Sequence, residues 1–139
     1  MIERRKFKRY PMPRGTFAIL RNESERLRNH SQMSIGEIAM VIYKSQPEAM
    51  WQVKDMSFGG IAFGGKADGI SDVDQLELDL LMADQGVYVH NIPFVFVSDE
   101  AAANGSKKSV RTRNDALHFT DLDETHKEGL QDMLACHAG

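Results

Sequence analysis

The chain has 139 residues, 42% apolar and 27% charged, a balance that supports one compact domain and excludes a disordered or low-complexity chain. Its single cysteine, Cys136, excludes an internal disulfide and a cysteine-rich structural zinc site, which fits a reducing, cytoplasmic compartment. The formal charge of −3 divides unevenly, since six cations against one anion give residues 1–14 a charge of +5 and leave −8 for the rest.

The basic arm, residues 1–14, comes first and carries Arg4, Arg5, Lys6, Lys8, Arg9 and Arg14 against Glu3. No apolar h-region follows it and no apolar run reaches the length of a membrane span, so neither an export signal nor membrane insertion is expected. Two readings of the arm stand open: a segment that meets an anion, or a solvated terminus. Residues 16–20 and 35–43 are apolar and β-prone, which predicts two strands. The polar stretch 22–29 between them is too short for an independent helix and predicts a loop or one or two helical turns. Residues 50–53 and 61–63 flank a turn at Phe58-Gly59-Gly60, and 76–80 alternates Leu with acidic residues, the period of a half-buried strand. Asp84-Gln85-Gly86 predicts a hairpin turn, after which 87–97 reads as a long strand, interrupted at Pro93, that pairs with 76–82.

Residues 98–108 read as a loop, and 110–113 with 116–119 complete the sheet. The period then changes: Leu130, Met133 and Leu134, with Leu122 two turns earlier, predict one amphipathic helix over 121–136. Asp121 with Glu124 has the spacing of a capping box, and Gly129 weakens the helix interior by about 1 kcal/mol. Several short strands and one terminal helix predict an all-β fold, a small antiparallel β-barrel closed at one end by a C-terminal helix, in a single domain with the arm at 1–14 and the barrel at 15–120.

Enzyme chemistry finds little support. The histidines at 30, 90, 118, 126 and 137 have no metal-ligand spacing, Asp72-Val73-Asp74 reads as turn chemistry, and no nucleophile elbow or phosphate-binding glycine loop is present. Two features remain. Arg4, Arg5 and Arg9 offer forked guanidiniums that match a phosphate or the O6/N7 edge of guanine. In Asp55-Met56-Ser57-Phe58-Gly59-Gly60, a carboxylate accepts from guanine N1–H and N2–H₂, Ser57 adds a hydroxyl, and Gly60 permits positive φ or close backbone approach. The same residues also suit an ordinary strand-to-strand turn.

Taken together, Arg4-Arg5-x-x-x-Arg9 and Asp55-x-Ser57-x-x-Gly60 leading into Ile61-Ala62-Phe63 resemble the PilZ domain, a family of bacterial cyclic di-GMP receptors. The resemblance covers almost the whole chain, with Leu117-His118-Phe119-Thr120 and the terminal helix matching the family's closing segment. It implies a six-stranded antiparallel barrel, no cofactor, and cyclic di-GMP as ligand held by Arg5, Arg9, Asp55, Ser57 and Gly60. Arg4 in front of Arg5 implies a second stacked ligand molecule. A mobile arm would close on the ligand and present a changed surface to a protein partner in motility, pilus, biofilm, secretion or transcription control. A monomer and a homodimer are both compatible with the sequence. Residues 16–50 exceed the family's first two strands and tight turn, leaving room for an added helix or lid, and Ala116 stands where glycine is common. Two other readings are a ligand-independent adaptor and a small nucleic-acid-binding barrel that stacks bases on Phe7 and Tyr10. The acidic body, without Lys or Arg from 67 to 106, opposes the last.

Overall fold

Apolar side chains at alternate positions draw one face of each strand into a common interior. The computed structural model describes residues 8–64, 75–97 and 115–136. These residues form β1 Tyr10–Pro11, β2 Thr16–Arg21, α1 Ile35–Lys44, β3 Ala49–Ser57, β4 Gly60–Phe63, β5 Glu77–Met82, β6 Val87–Val89, β7 Phe94–Val97, β8 Asp115–Phe119 and α2 Glu124–Leu134. The strands pair antiparallel in the order β6-β5-β2-β3-β4-β8-β7, with β1 beside β3. β6 and β7 stand at opposite ends of this path, yet only residues 90–93 join them, so the sheet curls on itself. Counted as two halves of one strand bent at Pro93, they leave six main strands, as expected for the barrel. Within the curl, Trp51 stacks on Phe63 with ring centroids 4.2 Å apart, among Leu78, Leu80, Ile61 and Leu117. Leu130, Met133 and Leu134 of α2 join the same core.

Residues 35–43 form a helix and not the expected strand. Ser34 and Glu37 make a capping box, Ser34 Oγ accepting from the Glu37 N–H at 3.1 Å and Glu37 Oε1 from the Ser34 N–H at 2.8 Å. Ile38, Val41 and Ile42 then fall on one helical face and pack on Ile19, Leu27 and Leu81, on the outer side of β2 and β5. The polar stretch before it contains a 3-10 segment, Arg26–Gln32, close to the expected helical turns. The run 87–97 is broken: β6 pairs with β5 as expected, but β7 crosses to β8.

α2 begins three residues later than expected, at Glu124. Asp121 has φ 37°, outside helical geometry, and Asp123 caps instead, accepting from the His126 N–H at 2.9 Å while His126 Nδ1 accepts from the Asp123 N–H at 3.2 Å. Gly129 allows contact rather than merely weakening the helix, since a Cβ there would lie 2.7 Å from Val89 Cγ2. The loop expected at 98–108 and the strand at 110–113 lie outside the described residues. Among those described, no helix is long and apolar enough to cross a membrane.

Candidate ligand-binding site

A register shift in β3 sets the site. Trp51 and Val53 point into the core, and simple alternation would send Asp55 and Ser57 after them. A bulge between Val53 and Asp55 changes the phase, so that Met56 is buried and Asp55 turns toward the outer face. Asp55 is there met by the arm. β1 pairs with β3 through Tyr10↔Met56 and Pro11↔Asp55, and the Met12 N–H donates to the Lys54 carbonyl at 3.0 Å. This seats Arg9, whose Nε and one terminal nitrogen lie 2.9 and 2.8 Å from Asp55 Oδ1. Both side chains are about one-third to two-fifths exposed, at 40% and 35%, so the pair contributes only about 0–1 kcal/mol and opens at little cost. The arm from residue 8 onward is thus seated on the sheet beside β3.

Ser57 Oγ accepts from the Gly59 N–H at 3.0 Å, which shapes the β3–β4 turn. Gly60 follows in β4, directly opposite His118 of β8. A Cβ at Gly60 would lie 2.2 Å from the Leu117 carbonyl oxygen, so the close approach that demands glycine is to a neighbouring strand. Arg9, Asp55, Ser57 and Gly60 are therefore grouped at one end of β3 and β4, while Arg4 and Arg5 lie outside the described residues. Lys8 adds a further cation beside them, its Nζ 5.4 Å from the centre of the Tyr10 ring.

The comparisons with known proteins bear on the fold. No family model and no curated protein matches the sequence. Among solved structures, the chain resembles the K. pneumonia MrkH–c-di-GMP complex, with a TM-score of 0.52 at 13% identity, covering 96% of this chain and 52% of that one. The fold is PilZ-like. The c-di-GMP-bound PilZ domain of YcgR from Escherichia coli is also similar, at 13% identity and a TM-score of 0.47, over 96% of this chain and 92% of that one. The chain thus spans about half the length of MrkH.

A second polar centre escaped the sequence reading. Arg21 and Asp79 are fully buried and bond in parallel, Nε to Oδ2 at 2.6 Å and a terminal nitrogen to Oδ1 at 2.8 Å. Glu77 Oε1 accepts from Arg21 at 2.9 Å, the Tyr88 hydroxyl donates to Asp79 at 2.6 Å, and the Asn91 N–H donates to Asp79 at 2.9 Å. Burial alone would lower the Arg21 pKa, but the hydrogen bonds and charge of Asp79 outweigh it and raise it. Burial, then the Asp79 charge, pushes the Tyr88 hydroxyl up. His90 and His30 lie beside this centre with ring centroids 4.7 Å apart, and burial first, then the Arg21 charge, lowers both pKa values although Asp79 pulls them upward. A cavity of about 330 Å³ opens over His30, Tyr88, His90, Asn91 and His126. Among the described residues, no three His, Cys, Asp or Glu are placed to hold a metal ion. The spacing Arg21…Asp79 carries no local signal, because β2 and β5 become neighbours only through the sheet.

Proposed function

We propose that the chain is a cyclic di-GMP receptor domain in which Asp55 holds a guanine edge and the arm supplies cations for the phosphates. The observation that carries this reading is the Arg9–Asp55 contact across 46 residues of sequence, on a fold shared with the MrkH–c-di-GMP complex. A guanidinium offers a row of N–H donors like guanine N1–H and N2–H₂, and Asp55 receives two of them on Oδ1, so the same carboxylate can accept a guanine edge. Ligand entry replaces Arg9 on Asp55 and frees its fork for a phosphate or for guanine O6/N7. Arg5 closes on the ligand beside it, and Arg4 contacts a second, stacked ligand molecule. The rearranged arm and the ligand together form the surface that a protein partner reads, in control of motility, biofilm, pilus or secretion.

Calorimetric titration of the full chain with cyclic di-GMP tests this. Saturable binding is expected, with Asp55→Ala weakening it at least tenfold, as loss of a charge-assisted hydrogen bond of about 1.5–3 kcal/mol requires. Binding by Asp55→Ala equal to that of the parent protein would sink the reading, and a ratio of one ligand per chain would remove the role given to Arg4.

A further inference from the structure

We propose that His118 is a further ligand-contacting residue of this site, an inference that rests on the cyclic di-GMP reading above. Residues directly opposed in an antiparallel ladder carry their side chains on the same face. Ser57 opposes Gly60, Gly60 opposes His118, and His118 opposes Val95, which makes one row across β3, β4, β8 and β7. The interior neighbours of that row, Met56, Ile61 and Leu117, are all buried. The row therefore lies on the opposite face, nearly covered at Ser57 (8% exposed) and open at His118 and Val95, with Asp55 two residues before Ser57 on the same side. The next row is Asp55, Ala62 and Ala116.

Gly60, Ala62 and Ala116 rise little above the backbone, so the floor between Asp55 and His118 is flat. At its far side His118 is exposed, beside the 51% exposed Val95. Among the described residues the His118 ring makes no hydrogen bond or ion pair. Ser57 and His118 stand two strands apart, about 10 Å at the usual strand spacing. A single guanine on Asp55 falls short of that distance, whereas a cyclic dinucleotide spans it. His118 accordingly meets the half of the ligand that Asp55 does not hold, stacking its ring on the second purine.

The test titrates the full chain with cyclic di-GMP and follows the His118 ring resonances by NMR in the unsubstituted protein. His118→Thr keeps a strand-forming residue and is expected to bind about tenfold more weakly, the size of one lost base stack, while His118→Phe is expected to bind within about threefold of the parent. The His118 ring resonances shift on ligand addition. Unchanged affinity in His118→Thr, or ring resonances that stay still at saturation, would overturn the proposal while leaving the receptor reading intact if Asp55→Ala has lost binding. A parent protein that does not bind cyclic di-GMP overturns both.

Discussion

Arg21 ties β2 to β5 through a buried cluster of polar groups. Its side chain is wholly excluded from solvent and carries hydrogen bonds to Asp79, Glu77 and the Asn22 carbonyl. A buried ion pair returns little net stability over an apolar replacement, but removing one partner strands the other charge. Arg21→Met is therefore expected to cost about 3–5 kcal/mol, read as a lowered urea midpoint, whereas Arg21→Met with Asp79→Leu costs less than the two single changes added together. Full additivity would show that the two side chains do not act as a pair. Arg9 and Asp55 have the same chemistry at the surface, where solvent screening leaves the contact easily exchanged. The same pair of residue types thus serves stability in one place and availability in the other, and burial alone decides which.

The elements differ in how far the sequence alone revealed them. β5 was legible as a strand because acidic and apolar residues alternate, although it is covered on both faces with Asp79 buried and not half-buried as expected, and the β4 and β8 segments because short apolar runs sit between turn residues. Residues 35–43 misled because Ile, Val and Tyr suit a strand, while the deciding signal was the Ser34-x-x-Glu37 box that starts α1. The outward turn of Asp55 was not legible at all, since it depends on a bulge created by pairing with β4. Gly129 is a case where propensity and packing oppose each other. Gly129→Ala gains about 1 kcal/mol of helix propensity but drives a methyl into Val89, so a net loss of about 1–2 kcal/mol is expected in thermal or urea unfolding. In a Val89→Ala background the same change is expected to stabilise. Stabilisation by Gly129→Ala alone would show that α2 does not lie as close to β6 as the structure places it.

At the scale of the molecule, acid sensitivity follows from the paired rings of His30 and His90. Both have folded-state pKa values below the ordinary 6.5, so the unfolded chain binds protons more readily. Their contribution is fully present above about pH 6.5 and is lost as the pH falls through the lowered values. The free energy of unfolding is expected to be smaller at pH 5.5 than at pH 7.5, with a weaker decline in His30→Gln/His90→Gln; an equal decline in that variant would assign the effect to carboxylates elsewhere. The fold as a whole was more legible than the sites: a curled antiparallel sheet with a terminal helix could be read from strand spacing, while the Arg21 centre arises from residues 58 positions apart.

The corner at residues 90–93 has a mechanical consequence. Its backbone is tied on every side: the Ile92 N–H to the Leu78 carbonyl at 2.7 Å, the Pro93 carbonyl to the Thr120 N–H at 2.9 Å, the Asn91 N–H to Asp79, and the His90 and Asn91 carbonyls beside His126 Nε2. It acts as a rivet between the two ends of the curl, resisting shear of one half of the barrel against the other. Any rearrangement confined to the outer face of β3 and β4 therefore meets a stiff frame beneath it.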